Sequence, residues 1–361
     1  EGVFQHSPDS RIFTFDKGRF QAWGKVGFGI RANDHMDSVY NNYGVRYTRL
    51  YCDGKLVFAS DVNNIPVSCN RMVNSWGDYD HFLHTKIWFM KSFIEPGNTL
   101  PILRAGADRG IINFNQQRDY HLRYVVSDAF GNQTVKEFTV HGEPQAIPSV
   151  AKPEGGLPLY CKKDNRINAD GVRLNIQKGL LAKDGWLLMR TVPMGNALSM
   201  GYSFSKAPYP LFNYAEINIK AKDGIRNPEK LYIAARNSAA GGGPSAYCGG
   251  IYTNGWVKGR FRELSDIYFL TSDETAPLIT KMNLDPRHLF FKITDSGSGL
   301  KAYQASVDGE FILLEFGKNK EVFFCDLTET PVQRTGKERT LKVSAVDNRD
   351  NRREFVTKIK Y

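Results

Sequence analysis

Residues 23–58 read WGKVGFGIRANDHMDSVYNNYGVRYTRLYCDGKLVF. The apolar and polar residues alternate over two runs, which predicts a strand from Gly24 to Ala32 and another from Val45 to Cys52. A loop opening on Asp34 joins them. Asp53-Gly54 then separates the second run from a third strand, Leu56 to Ala59. Asp-Gly between two apolar runs signals a tight hairpin, because both positions tolerate the positive φ of a primed turn. The same order returns at residues 289–316, LFFKITDSGSGLKAYQASVDGEFILLEF. There the expected strands are Phe290 to Thr294, Leu300 to Val307 and Phe311 to Phe316, with an Asp295-led loop and an Asp308-Gly309 turn.

The two regions also close alike. Residues 119–140, DYHLRYVVSDAFGNQTVKEFTV, and residues 338–359, ERTLKVSAVDNRDNRREFVTKI, each read as strand, Asp-containing turn and strand. A period of two puts Leu341, Val343 and Ala345 on a buried face, with Lys342 and Ser344 outward. Two copies of one β-sandwich plan are expected. The whole chain reads as all-β, in tandem immunoglobulin-like sandwiches.

At 361 residues the chain suits two or three domains. The expected units are 1–145, 159–271 and 273–361. Pro144, Pro148, Pro153 and Pro158 mark a linker between the first two, and Ser272 to Pro277 (SDETAP) is a short polar junction between the last two. Residues 1–20 read as a leading strand and loop. Residues 74–93, NSWGDYDHFLHTKIWFMKSF, break the alternation and predict a short helical excursion inside the first unit, and Gly110 to Phe114 a short strand. In the middle unit, strands are expected at Val172 to Ile176, Trp186 to Thr191, Ser199 to Phe204, Ala215 to Ile219, Leu231 to Ala235, around Ile251, at Trp256 to Gly259 and at Ile267 to Leu270. Asn254-Gly255 is a turn and Asn237 to Gly243 a Gly/Ala/Ser loop.

No apolar run is long enough to span a membrane as a helix. With neither a start Met nor a signal peptide, the chain reads as a mature or excised segment. A formal charge of +10 suits polyanionic surfaces. The basic residues are dispersed, and no nucleic-acid-binding pattern accompanies them, so nucleic acid is not an expected partner. Five cysteines at wide spacings make neither a disulfide framework nor a zinc cluster. Cys52 and Cys325 suit strand interiors, and Cys161 with Cys248 is the one pair to consider for a bridge.

The chain carries no catalytic signature. His81 and His84 share a helical face, but no HExxH pattern surrounds them. Asp34, Asp37, Asp295, Asp347 and Asp350 stand at loops, where aspartate caps turns through nearby N–H groups; a loop calcium site is the alternative reading. AAGGGPS lacks the Lys-Ser/Thr of a phosphate loop, and no GxSxG elbow occurs. Trp76, Tyr79, Trp88 and Trp256 are the candidate binding residues, as a sugar-stacking or peptide-binding surface; Phe89 and Trp186 belong to the same aromatic set. Core packing is the competing reading for all six.

At WGKVGFGIRANDHMD, YGVRYTRLYCDGKLVF, WFMKSFIEPGN and RDYHLRYVVSDAFGN the sequence resembles the region that follows the catalytic domain in lysostaphin-type zinc endopeptidases of Bacteroidetes. NGWVKGRF, DIYFLTSDETAPLI and ITDSGSGL extend the resemblance to the later segments. In that family zinc is held by an HxxxD motif and the second His of an HxH motif. Here no histidine has Asp four residues on, and no HxH occurs, so no catalytic or metal residue carries over. The resemblance implies zinc only in a separate catalytic domain and no cofactor in this chain. It implies an accessory region of a peptidoglycan peptidase in the periplasm or cell envelope, whose partner is the cell wall or its own catalytic domain. The alternative is a free-standing carbohydrate-binding or adhesin-like protein. A third reading, a glycosidase with an unrecognised site, requires two facing carboxylates in a cleft.

Overall fold

The computed structural model describes residues 19–36, 38–147, 152–204, 211–236, 246–264, 266–282, 288–317 and 321–361. Most of the leading segment, Asp37 and the Gly/Ala/Ser loop at 237–243 lie outside the described residues. The rest is all-β apart from a few short helical turns.

Among the described residues three large buried clusters succeed one another along the chain, with a small fourth at Tyr232, Ala234 and Phe269. The first gathers residues from Val26 to Val140, around Leu50, Phe58, Phe114, Leu122 and Tyr124. The second runs from Leu159 to Leu270, and the third from Ile279 to Ile359. Each fills the space behind strands that alternate inward and outward. Leu341, Val343 and Ala345 are completely buried, while Lys342 is exposed.

The repeated plan is visible in the sheets. In the last unit, one sheet has the order Arg352–Lys360, Glu338–Asp347, Leu300–Val307, Glu310–Ile312. In the first unit, Gln133–Gly142, Asp119–Ser127, Tyr47–Cys52 and Lys55–Asp61 follow that same order. The first sheet then adds Leu103–Ala105 at one edge and Arg19–Ala22, parallel to Gln133–Gly142, at the other. Both Asp-Gly turns have two positive φ values, 48° and 77° at Asp53-Gly54 and 49° and 90° at Asp308-Gly309. These are primed turns, which match the twist of the strands they join.

The opposite faces differ. The last unit covers its core with a second four-stranded sheet, Leu278–Met282, His288–Thr294, Val322–Asp326 and Glu315–Phe316. The first unit covers its own with two-stranded fragments and the helices Val73–Trp76 and Tyr79–Thr85. The middle unit has two five-stranded sheets.

Several expected strands change partner midway. Gly24 to Ala32 is two pieces: Gly24–Val26 pairs with Ile112–Phe114, and Gly29–Ile30 pairs with Met90–Lys91. The break falls at Gly27, where a Cβ would strike the Phe93 ring. Phe311 to Phe316 likewise splits, Glu310–Ile312 staying in one sheet and Glu315–Phe316 crossing to the other. Trp186 to Thr191 divides into Gly185–Leu187 and Arg190–Val192, in separate sheets. A strand-like run does not reveal where its hydrogen bonds change hands. All five cysteines are free thiols, so Cys161 and Cys248 form no bridge.

Candidate functional site

The first unit carries an open cleft of about 320 Å³ between two loops. One wall is the segment from Ile30 to Asp34, the other the turn and strand from Ser127 to Lys136. Its floor is the buried pair Tyr124 and Val126 of the central strand, and Asn33, Asp34, Asp128, Asn132, Gln133 and Thr134 line its sides. Strand alternation explains the arrangement. Thr134 and Val126, and Gln133 and Ser127, are cross-strand neighbours, so polar residues at the strand ends rise where the hairpin leaves the core.

The turn forming the second wall is rigid. Asp128 Oδ1 accepts from the N–H groups of Phe130 and Asn132 at 2.8 and 2.9 Å, and its Oδ2 accepts from Asn132 Nδ2 at 2.6 Å. The Asn132 amide, with these N–H groups, holds the Asp128 carboxyl below the usual range. Phe130 at the turn's apex is 94% exposed. On the other wall Tyr43 pairs across from Asp34 and is exposed, and Tyr40, further along the same loop, is fully so. The cleft thus presents amide and carboxylate groups, and exposed aromatics stand on the segments beside it.

The aromatic residues expected to bind are placed differently. Trp76 is buried, its Nε1 donating to Lys91 O at 3.1 Å. Tyr79 is half-buried at the start of the second helix. Trp88 is half-buried edge-on to Phe82, 5.5 Å between centroids. These three belong to one segment of the first unit. Trp256 lies in the middle unit with the Arg173 guanidinium 3.9 Å over its ring. Phe89 is buried and Trp186 is exposed under Lys152. His81 and His84 do not converge on a common point: His81 rests edge-on against Phe89, and His84 bonds Asp80 O at 2.8 Å.

Under the helices lies a buried ion pair. Lys91 Nζ donates to Glu95 Oε1 at 3.0 Å and to Ser75 O at 3.1 Å, and both side chains are almost inaccessible. Burial lowers the Lys91 pKa, and the Glu95 carboxylate opposes that shift. The pair ties the helical excursion to the loop at 95–98.

Two junctions join the units. Between the first and the middle, Arg71 donates to Leu211 O at 3.0 Å and to Glu263 at 2.7 Å, and Gly97 N–H to Ala182 O at 2.7 Å. Any Cβ at Gly97 would collide with Leu181 O. Between the middle and the last, Arg349 Nη1 reaches the carbonyls of Glu229, Leu231 and Gly250 at 2.6–3.1 Å. Lys230 Nζ donates back to Arg349 O and to Asn351 Oδ1 at 2.8 and 2.6 Å. Asp273, Asp295 and Asp347 meet at this second junction, and among the described residues no other three carboxylate, imidazole or thiol side chains come together in this way. Burial, helped by the charges of Asp273 and Asp347, raises the Asp295 pKa.

Composition could not reveal the cleft, because its residues come from segments about a hundred positions apart. The one local signal is Phe130, a large aromatic at the tip of a tight polar turn.

Comparison with known proteins adds a family for one part of the chain. Residues 157–273 match the model of a family described as Zu5-like domain. No curated protein matches the chain. Among solved structures, a β-1,2-glucanase from Parabacteroides distasonis is 11% identical over 57% of this chain and 36% of its own, with a TM-score of 0.16. A 1.5-MDa bacterial ice-binding adhesin is 9% identical over 96% of this chain and 93% of its own, TM-score 0.16. An ice-binding, Ca2+-stabilized adhesin of an Antarctic bacterium is 12% identical over 100% of this chain and 72% of its own, TM-score 0.16. Likenesses at these scores bear on neither the fold nor the activity of this chain.

Proposed function

We propose that the chain is a carbohydrate-binding, adhesin-like array of β-sandwiches whose first unit takes a sugar chain in the cleft between residues 30–34 and 127–136. The observation that carries this reading is an open cleft lined by amide and carboxylate side chains, with the solvent-facing aromatics Phe130 and Tyr43 on the turn and strand beside it. Sugars offer hydroxyls for the first and apolar C–H faces for the second. The middle and last units, joined to each other through Arg349 and Lys230 and to the first through Arg71, then act as a spacer that presents the first. A net charge of +10 favours anionic polymers of an envelope surface, and a secreted or envelope location goes with it. The narrower reading, an accessory region of a peptidoglycan peptidase, draws on the sequence resemblance alone and makes the wall glycan the ligand of the same cleft.

The test is retention of the whole chain on peptidoglycan sacculi and on a panel of neutral and acidic polysaccharides, at low and high salt. Binding that survives salt and falls about tenfold in Phe130→Ala and in Gln133→Ala is expected, which is about 1.4 kcal/mol for a lost aromatic or amide contact. Retention abolished by salt and untouched by both variants reduces the interaction to charge. Absence of binding to every polymer refutes the reading.

A further inference from the structure

The junction of the middle and last units concentrates negative charge with no cation to balance it. Asp273 follows strand Ile267–Ser272, Asp295 follows His288–Thr294, and Asp347 ends Glu338–Asp347. One carboxylate oxygen from each lies within 4.8 Å of the others. Asp273 is 4% exposed and Asp347 is sealed off, while Asp295 is half-buried. The two basic groups nearby are engaged elsewhere, Arg349 with carbonyls of the middle unit and Lys230 with Arg349 O and Asn351. The carboxylates accept N–H groups, but clustered buried charges without a counter-charge are disfavoured, and metal coordination is one of the few remedies.

A second feature points to the same spot. Ser298 is 2% exposed, and its Oγ is buried with no hydrogen-bond partner. Its own N–H donates to Asp273 Oδ2 at 2.7 Å, which sets the residue against that carboxylate. The hydroxyl acts on Asp273 at close range but forms no bond of ordinary geometry. A buried hydroxyl left unsatisfied beside three unbalanced carboxylates is an oxygen donor lacking an acceptor of its lone pairs.

The loops also hold the carboxylates in place. Asp295 Oδ2 accepts from Gly297 and Gly299, and Asp347 Oδ1 accepts from Arg349 and Asn351. Asp273 Oδ1 accepts from Thr275 at 3.1 Å. Gly297 lies so near Asp273 that a Cβ there would overlap the carboxylate.

We propose that Asp273, Asp295, Asp347 and Ser298 Oγ hold one calcium ion that bridges the middle and last units. The donor set is oxygen throughout, which suits a hard cation and not zinc or copper. It is gathered from the ends of separate strands as side chains alone, and calcium accepts such an irregular oxygen set more readily than magnesium does. Calcium ligands at about 2.4 Å from the ion lie up to about 4.8 Å from one another, as these oxygens do. Backbone carbonyls and water complete the shell. The site stands whether or not the cleft of the first unit binds sugar.

The experiment is calorimetric titration of calcium into the whole chain after treatment with a chelator, with thermal unfolding recorded with and without the ion. One equivalent of calcium should bind, at least tenfold more tightly than magnesium, and should raise the unfolding temperature. Asp295→Asn should abolish the heat signal, and Ser298→Ala should weaken binding about tenfold, each with an unchanged circular-dichroism spectrum. If Asp295→Asn does not fold, Ser298→Ala and the parent titration decide. A chain that takes up no calcium at millimolar concentration overturns the proposal; there the cluster is neutralised by protons shared between carboxyls. Binding that is unaltered in both variants overturns it equally, by placing the ion elsewhere.

Discussion

The turn at residues 128–132 and the turn at residues 347–351 share their hydrogen bonds atom for atom. In each, the leading aspartate Oδ1 accepts from the N–H groups two and four residues on, and Oδ2 accepts from the asparagine amide. Each has one positive φ before that asparagine, 96° at Gly131 and 59° at Asp350. Their surroundings are opposite. The residue at the apex of the first is Phe130, open to water; its counterpart in the second is Arg349, driven into the middle unit. Asp128 sits near the surface, whereas Asp347 is fully enclosed. One frame therefore serves for display and for docking, and the apex residue decides which.

The largest effect that would break this contrast is expected from Arg349→Ala. Losing a charged donor to three carbonyls should cost about 3 kcal/mol of coupling between the last two units, at about 1.5–3 kcal/mol for each such bond and less than full additivity. Denaturant unfolding should then split into two transitions. The matching change Phe130→Ala should stay within about 0.5 kcal/mol, as for an exposed side chain. Equal costs at both sites would mean that the second turn is not docked.

A smaller difference is expected between the asparagines. Asn351 Nδ2 also donates to Asp273 O at 2.9 Å, so Asn351→Ala should cost about 1–3 kcal/mol by leaving buried groups unpaired. Asn132→Ala, at a solvated turn, should cost less than about 1 kcal/mol by the same measurement.

The smallest effect concerns alkaline pH, where the first and last units should behave alike. Burial pushes the Cys52 and Cys325 thiols up to about 11, with help from Asp53 and Asp326 respectively. A pKa raised on folding means that the unfolded chain loses its protons first. The thiols' contribution is whole below the unfolded value near 9 and is lost as pH rises through about 11. Urea midpoints under reducing conditions should stay level to about pH 9 on this account and then fall. Cys52→Ala should flatten that fall for the first unit and Cys325→Ala for the last. A fall unchanged in both variants would assign it to other groups.

The sequence made one sheet of each end unit readable, because Asp-Gly turns and strict alternation are local properties. Both Asp53-Gly54 and Asp308-Gly309 lie where the spacing puts them, as do Leu300–Val307 and the three buried residues of Glu338–Asp347. The opposite sheets were less legible. Gly24 to Ala32 and Phe311 to Phe316 each read as one uninterrupted strand, and nothing local shows that their hydrogen bonds pass from one neighbour to another. The cleft was illegible for a related reason: Asn33 and Gln133 meet only through the order of strands. The Trp76, Tyr79 and Trp88 segment shows the ambiguity of aromatics, since one ring fills the core and the others lie at its margin. The loop aspartates were readable as caps, and Asp295 and Asp347 do cap their loops; that they also meet Asp273 depends on how two units dock.

The edge strand Arg19–Ala22 runs parallel to the end of Gln133–Gly142, with Arg19 beside Thr139 and Ala22 beside Gly142. A tether pulled at Arg19 and at Gly142 would draw these strands past each other lengthwise. Every bond of that ladder would bear load at once, as in a lap joint, and none could open ahead of the rest. Tension along the chain would thus load this edge of the first unit in shear and not by unzipping.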